Sequence, residues 1–89
     1  MYNKKYCLEK IEEFNRHNPI YDGIEGRICY LAYLNSGERG WFLYEDNDWF
    51  GMAHRIHTST IKDVEYTRGN QVIVTTQNTK FTFTVIDRY

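Results

Sequence analysis

The last third of the chain carries the pattern that most constrains the fold. Residues 61–86 form three segments rich in β-branched and aromatic side chains, separated by short turn sequences at residues 68–70 and 78–79. From Phe81 to Val85, large apolar residues alternate with threonine, which is the period of a pleated strand. Short polar turns between such segments favour antiparallel hairpins. The sequence therefore predicts a three-stranded antiparallel meander, with a β-bulge near residues 62–63, where the alternation slips by one residue.

Two further strands are expected before the meander. The period-two pattern covers residues 27–34, where both faces are apolar enough to predict a central strand, and residues 41–45. A glycine-containing turn at residues 35–40 separates them. Residues 49–60 have no regular pattern. The sequence thus predicts a β meander of five strands within residues 27–87.

The N-terminal segment has a different apolar period. Its apolar residues fall at helical spacing, and they are Cys7, Leu8, Ile11 and Phe14. Pro19 would end a helix here, because the residue before a proline is pushed out of the α region. We therefore predict an α+β fold in a single domain of residues 1–89. In it, an amphipathic helix of about residues 4–17 packs on a strongly curled five-stranded antiparallel sheet or a small SH3-like open barrel.

The charge balance argues against a long nucleic acid as partner. Eleven Lys and Arg stand against twelve Asp and Glu, for a formal charge of −1, whereas non-specific binding of DNA or RNA needs a strongly basic surface. A small anion needs only a few well-placed donors. The sequence has no apolar leader and no stretch of about 20 apolar residues that would span a bilayer. We therefore expect a cytoplasmic protein with no membrane partner.

No residue pattern indicates catalysis, a cofactor or a metal. Cys7 and Cys29 are expected to be reduced and partly buried, where a thiol is inert without a cationic neighbour. His54 and His57 are three residues apart, but neither a helical pattern nor a third ligand accompanies them. The glycines match no phosphate-loop or dinucleotide-binding motif. We therefore expect a non-enzymatic protein without a cofactor or a metal.

The segment HRIHTST, residues 54–60, is the main candidate for contact with an anion. Six of its side chains can donate a hydrogen bond. Arg55 would hold a phosphate or carboxylate through two charge-assisted bonds, with the hydroxyls of Thr58 and Ser59 beside it. His54 and His57 would act as conditional cations. The alternative is a structural role, in which the hydroxyls bond to the neighbouring backbone.

Two tryptophans lie beside a glycine or a turn. Trp41 follows Arg39 and a glycine, and Trp49 follows the acidic turn at residues 46–48. Such positions can expose an indole for stacking on a base, and hydrophobic anchoring of a hairpin end is the alternative. The complete set of candidate ligand-binding residues is Arg39, Trp41, Trp49, His54, Arg55, His57, Thr58 and Ser59.

Two parts of the sequence together carry a family resemblance. They are the short amphipathic N-terminal segment and the compact aromatic meander. The second part contains the sequences His-Arg-Ile-His-Thr-Ser from residue 54 and Asn-Thr-Lys-Phe-Thr-Phe from residue 78. In this general make-up the whole chain resembles small orphan proteins carried by phages and prophages of Gram-positive gut bacteria. Some proteins of that kind are anti-defence factors. Certain ones sequester the nucleotide signal of an immune pathway in a homo-oligomeric pocket, and others block a nuclease by contact.

The resemblance implies two functions, and the sequence leaves both open. The first is sequestration of a phosphorylated nucleotide in the cytoplasm of the host cell. The second is an inhibitor or adaptor that contacts a host protein through an aromatic surface, as anti-CRISPR proteins do. Fifteen aromatic residues in 89 are more than one small core needs, so we also expect a homo-oligomer, most simply a dimer, with aromatic side chains at the interface.

Overall fold

The computed structural model describes residues 4–45 and 53–88, and in this part of the chain six antiparallel strands form a closed barrel. Each strand pairs with the next in sequence, and the last pairs with the first. One turn of 3₁₀ helix, Pro19–Tyr21, lies between the first two strands. The strands are β1 (Lys4–Glu13), β2 (Ile28–Tyr33), β3 (Arg39–Glu45), β4 (Ala53–Tyr66), β5 (Gln71–Thr76) and β6 (Thr79–Arg88).

The barrel encloses an apolar core with phenylalanine at its centre. The ring of Phe42 packs edge-on against Phe81 and Phe83, with ring centroids 5.4 and 5.2 Å apart. Along β5 and β6 the buried side chains alternate with half-buried ones, as expected for strands with one face inside a barrel. The other buried apolar residues are Tyr6, Leu8, Ile24, Cys29, Ile56, Ile61, Val72 and Val74.

The N-terminal segment is a strand, so the prediction of an amphipathic helix at residues 4–17 is wrong. Leu8 of β1 lies opposite Phe83, but the next paired residue is Lys10, so Glu9 is an extra residue in a β-bulge. The bulge moves the next inward position to Ile11, which packs against the core. The bulge therefore separates the two inward residues Leu8 and Ile11 by three positions. This spacing is the same as that of residues on one face of a helix.

The pairing of β1 with β6 also overturns the predicted fold class. The described residues form a closed six-stranded barrel and contain no α-helix, in place of an α+β fold with a five-stranded open sheet. Without β1, the outer edge of β6 would leave a row of backbone donors and acceptors unpaired. Among the described residues, no helix has the length and apolar character needed to cross a bilayer.

The meander of the last third is confirmed strand by strand. β4 pairs with β5 and β5 with β6, and the register of the first pair shifts between Ile61 and Asp63, which places the predicted bulge at Lys62. β4 is longer than expected, because it begins at Ala53 and includes most of the segment without a regular pattern. Residues 49–52 of that segment lie outside the described residues.

Candidate functional site

A polar cleft of about 760 Å³ lies at one end of the barrel. Its volume falls within the range of roughly 300 to 1,000 Å³ that is typical of small-molecule sites. The first wall is the segment after β1, with Asn15, Arg16, His17 and Asn18. The second wall combines the start of β3, the middle of β4 and the β5–β6 turn, with Arg39, His57, Thr58, Ser59 and Asn78.

Glu13, the last residue of β1, holds the first wall in place. Its Oε1 accepts a hydrogen bond from the backbone N–H of Asn18 at 2.6 Å, and its Oε2 lies 2.7 Å from Nδ1 of His17. Asn18 in turn caps the 3₁₀ turn, because its Oδ1 accepts from the N–H of Ile20 at 3.1 Å. The wall is therefore a capped turn whose start is bound to the end of a barrel strand.

A register shift between β3 and β4 shapes the second wall. The shift lies between Arg39 and Trp41, at the buried Gly40. The N–H of Gly40 donates to Oγ1 of Thr58 at 3.0 Å, and Nε of Arg39 donates to the carbonyl of Thr58 at 3.2 Å. Thr58 thus replaces a missing ladder bond and fixes the side chain of Arg39 at the cleft.

The hydroxyls of Thr58 and Ser59 are engaged by the barrel itself. The hydroxyl of Thr58 also donates to the carbonyl of Ser59 at 2.8 Å. Oγ of Ser59 donates to Oγ1 of Thr76 at 3.0 Å and accepts from the backbone N–H of Asn78 at 3.3 Å. These bonds fit the structural role that the sequence left open for the two hydroxyls, and a ligand role for them stays a prediction.

Thr58→Val is expected to lower the free energy of unfolding by about 1 to 3 kcal/mol, because the buried N–H of Gly40 loses its acceptor. Urea denaturation measures the change. Thr82→Val is the matched control. Thr82 is half-buried between the inward residues Phe81 and Phe83 of β6, and among the described residues its hydroxyl makes no hydrogen bond. A loss of stability that is equal in the two variants would contradict the assigned role of Thr58.

The cleft presents two guanidinium groups on a chain that is almost neutral overall. Arg16 and Arg39 are both exposed and line the cleft, and among the described residues no carboxylate lies within 4.0 Å of either. The carboxylate of Glu13 lines it too, but the Asn18 N–H and His17 already bind it. These bonds lower the pKa of Glu13 from its ordinary value. Glu13 therefore stays ionised near neutral pH, but the two arginines outnumber this one carboxylate, so the charge of the cleft still suits an anion.

The structure brings together half of the residues that the sequence proposed for a ligand site. Arg39, His57, Thr58 and Ser59 line the cleft. The remaining described candidates do not line it. Arg55 shares a face of β4 with His57, but it lies two residues, roughly 7 Å, farther along the strand from the cleft. The guanidinium carbon of Arg55 lies 4.4 Å from the ring centroid of Trp41, on the outer face of β3 and β4. His54 stacks on Tyr44, with ring centroids 5.3 Å apart, and Trp49 lies outside the described residues.

The sequence interpretation missed the first wall of the cleft. Arg16, His17 and the asparagines beside them were assigned to the end of a helix, where they had no functional role. The run of residues 15–18, Asn-Arg-His-Asn, offers a hydrogen-bonding side chain at every position. That density, directly before a proline, was the available signal.

The two cysteines do not form a nucleophilic site. Cys7 and Cys29 are free thiols on the paired strands β1 and β2. Burial raises the pKa of Cys29 to about 12, and it also raises the pKa of Cys7, with a smaller contribution from the charge of Glu9. Both thiols are therefore protonated near neutral pH. Among the described residues, no group of three or more His, Cys, Asp or Glu side chains is placed to hold a metal ion.

Over residues 4–45 and 53–88, the fold and the cleft define a closed six-stranded antiparallel β-barrel with a polar cleft, lined by two arginines, at one end. Comparison with protein-family models, with curated proteins and with solved structures gives no match.

Proposed function

We propose that this chain is a non-enzymatic binding protein that holds a small phosphorylated ligand in the cleft. The observation that carries the proposal is that Arg16 and Arg39, from distant parts of the sequence, line the same cleft without a carboxylate partner among the described residues. A guanidinium group matches the geometry of phosphate and bonds it through two parallel N–H groups. His57 adds a group that becomes cationic when it is protonated.

A nucleotide is the phosphorylated ligand that we propose. Side-chain amides of Asn15 and Asn78 line the cleft and can both donate to and accept from sugar hydroxyls, and Tyr21 supplies an aromatic ring. The cleft volume is adequate for a ligand of this size. The family resemblance supports a phosphorylated signal of an immune pathway as the particular nucleotide. The corresponding role is anti-defence by a phage-type protein in the cytoplasm of its host.

Arg39→Gln is expected to weaken nucleotide binding by about tenfold to a hundredfold, because one charge-assisted contact with phosphate is lost. Arg55→Gln removes the same charge from the outer face of the barrel and is expected to leave the affinity unchanged. Isothermal calorimetry with a panel of cyclic and linear nucleotides measures both. A thermal melt of each variant checks the fold, since Arg39 also binds the Thr58 carbonyl.

Native mass spectrometry of the same samples reports how many chains and nucleotides associate, and it tests the proposed homo-oligomer directly. Equal affinity in wild type, Arg39→Gln and Arg16→Gln would overturn the assignment of the cleft. If the wild type binds no nucleotide of the panel, the nucleotide proposal fails.

A second candidate function rests on the outer face of β2, β3 and β4. Trp41, covered by the Arg55 guanidinium, pairs across the sheet with Tyr33, which is 39% exposed. Aromatic side chains next to arginine are frequent anchors in protein interfaces. This face supports an inhibitor or adaptor that contacts a host protein. In that case Trp41→Ala would abolish inhibition of the host nuclease, and Arg39→Gln would not.

A further inference from the structure

His17 connects the two ends of the segment that forms the first wall of the cleft. Its Nδ1 lies 2.7 Å from Oε2 of Glu13, at the end of β1, and its Nε2 lies 2.5 Å from Oδ1 of Asp22, directly after the 3₁₀ turn. Ionised carboxylate oxygens only accept hydrogen bonds. Both ring nitrogens must therefore carry a proton for both contacts to be attractive. The geometry is that of an imidazolium between two carboxylates.

The bridge encloses the residues that face the ligand. Arg16 and Asn18 lie between Glu13 and Asp22, so the position of this part of the wall depends on how the two ends are held together. Apart from the bridge, the contacts that hold the wall include the Asn18 N–H bond to Glu13 and the Phe14 N–H bond to the Asn78 carbonyl. Tyr21 holds it at the other end, where its ring packs edge-on against Phe81 at 5.4 Å. Opening the bridge would release the Arg16 side of the cleft first, because the packed ring stays anchored at the other end.

The charged groups around His17 come from several elements. Glu13 of β1 and Asp22 contact it, and Glu25, whose carboxylate accepts from the N–H of Ile11 at 2.8 Å, lines the adjoining groove. On the cleft side the charged or titratable groups among the described residues are Arg16, Tyr21, Arg39 of β3 and His57 of β4. The carboxylates stabilise the positively charged imidazolium, whereas the arginines of the cleft destabilise it by repulsion. A bound anion would offset the charge of the arginines and so reduce this repulsion.

We propose that His17 is a pH-dependent latch that holds the Arg16 wall in the binding position, so that the cleft binds anions strongly only while the latch is closed. The effect of the latch on binding rests on the proposed function, because the latch regulates the affinity of the same cleft. It explains why a histidine with two carboxylate partners lies in the wall of a site for an anion.

The direction of the pH dependence follows from the bonds of the latch. Hydrogen bonding to Glu13, and then to Asp22, raises the pKa of His17 above its ordinary value. Hydrogen bonding from the Asn18 N–H, and then from His17, lowers the pKa of Glu13. The latch is therefore closed between the lowered pKa of Glu13 and the raised pKa of His17. It opens as the pH rises through the raised pKa of His17, and also as the pH falls through the lowered pKa of Glu13.

Sulfate is the probe that tests the latch, because its charge does not change across the histidine range. His57 brings a second imidazole to the same cleft, so all measurements use the His57→Gln background. In that background the dissociation constant of sulfate is expected to increase by about fivefold or more as the pH rises through the raised pKa of His17. With His17→Gln added, the dissociation constant should be high and independent of pH. With His54→Gln added as the matched control, the pH dependence should remain, because His54 lies outside the cleft.

Nuclear magnetic resonance without sulfate separates failure of the latch from failure of the proposed function. The backbone amide signals of Asn18 and Ile20 are expected to follow the titration of the His17 ring, because both amides lie inside the bridged segment. If they follow it but sulfate binds at no pH, the latch stands and the proposed function fails. If sulfate binds with the same pH dependence after His17→Gln, or if the amide signals do not follow the ring, the latch is overturned.

Discussion

Gly40→Ala is expected to lower the free energy of unfolding by about 3 kcal/mol or more, at the upper end of the cost of overpacking. A Cβ at this buried position would lie 2.4 Å from the carbonyl oxygen of Tyr33 and 2.6 Å from Cδ1 of Ile61. The first contact is with backbone of the paired strand, which cannot move aside without breaking the β2–β3 ladder. Any relaxation would also lengthen the bond from Gly40 N–H to Thr58. A domain of this size should lose more than about 12 °C of melting temperature.

Gly69→Ala is the matched control for this experiment. The nearest atom to a Cβ at Gly69 is Oγ1 of Thr67 at 3.8 Å, which is an ordinary contact. The free energy of unfolding of the Gly69→Ala variant should therefore stay within about 0.5 kcal/mol of the wild-type value. Urea denaturation followed by circular dichroism measures both variants. Equal midpoints for the two would show that the close approach at Gly40 does not exist in solution.

Leu8→Ala is expected to destabilise the protein by about 2 to 5 kcal/mol, the usual cost of truncating a fully buried leucine. Leu8 is 0% exposed and lies opposite the equally buried Phe83, at the pairing that closes the barrel. The cavity would open where β1 and β6 meet, so the change weakens the closure of the barrel as well as its core. Denaturant unfolding at equilibrium measures the loss.

Phe14→Ala distinguishes the barrel from the predicted helix. On an amphipathic helix Leu8 and Phe14 would share one buried face, and both truncations would be costly. In the barrel Phe14 lies beyond the end of β1 with 50% of its surface exposed, so its truncation is expected to cost about 1 kcal/mol or less. Comparable losses in the two variants would argue against the strand and restore the helix.

The candidate site could be predicted from sequence only in part. The residues around His57 were recognised from their hydrogen-bonding capacity, which is a property of the side chains alone. Arg39 was recognised for its place beside Trp41 and a glycine, where an indole could stack on a base. Arg55 shares a face of β4 with His57 but lies two residues farther from the cleft, and this became evident only once β4 was seen to begin before it. Arg16 and His17 belong to the site because closure of the barrel brings the end of β1 beside the β5–β6 turn. The N–H of Phe14 donates to the carbonyl of Asn78 there, at 2.9 Å.

The sequence by itself determined the part of the fold in which neighbouring strands pair across short turns. The alternation in β5 and β6 and the slip near Lys62 depend only on pairing between strands that are neighbours in sequence. They could therefore be recognised from the sequence of each hairpin alone. The state of residues 4–13 was decided by the tertiary structure. Their apolar spacing suits a helix as well as a bulged strand, and the exposed edge of β6, about 70 residues away in sequence, selects the strand because its backbone groups need partners.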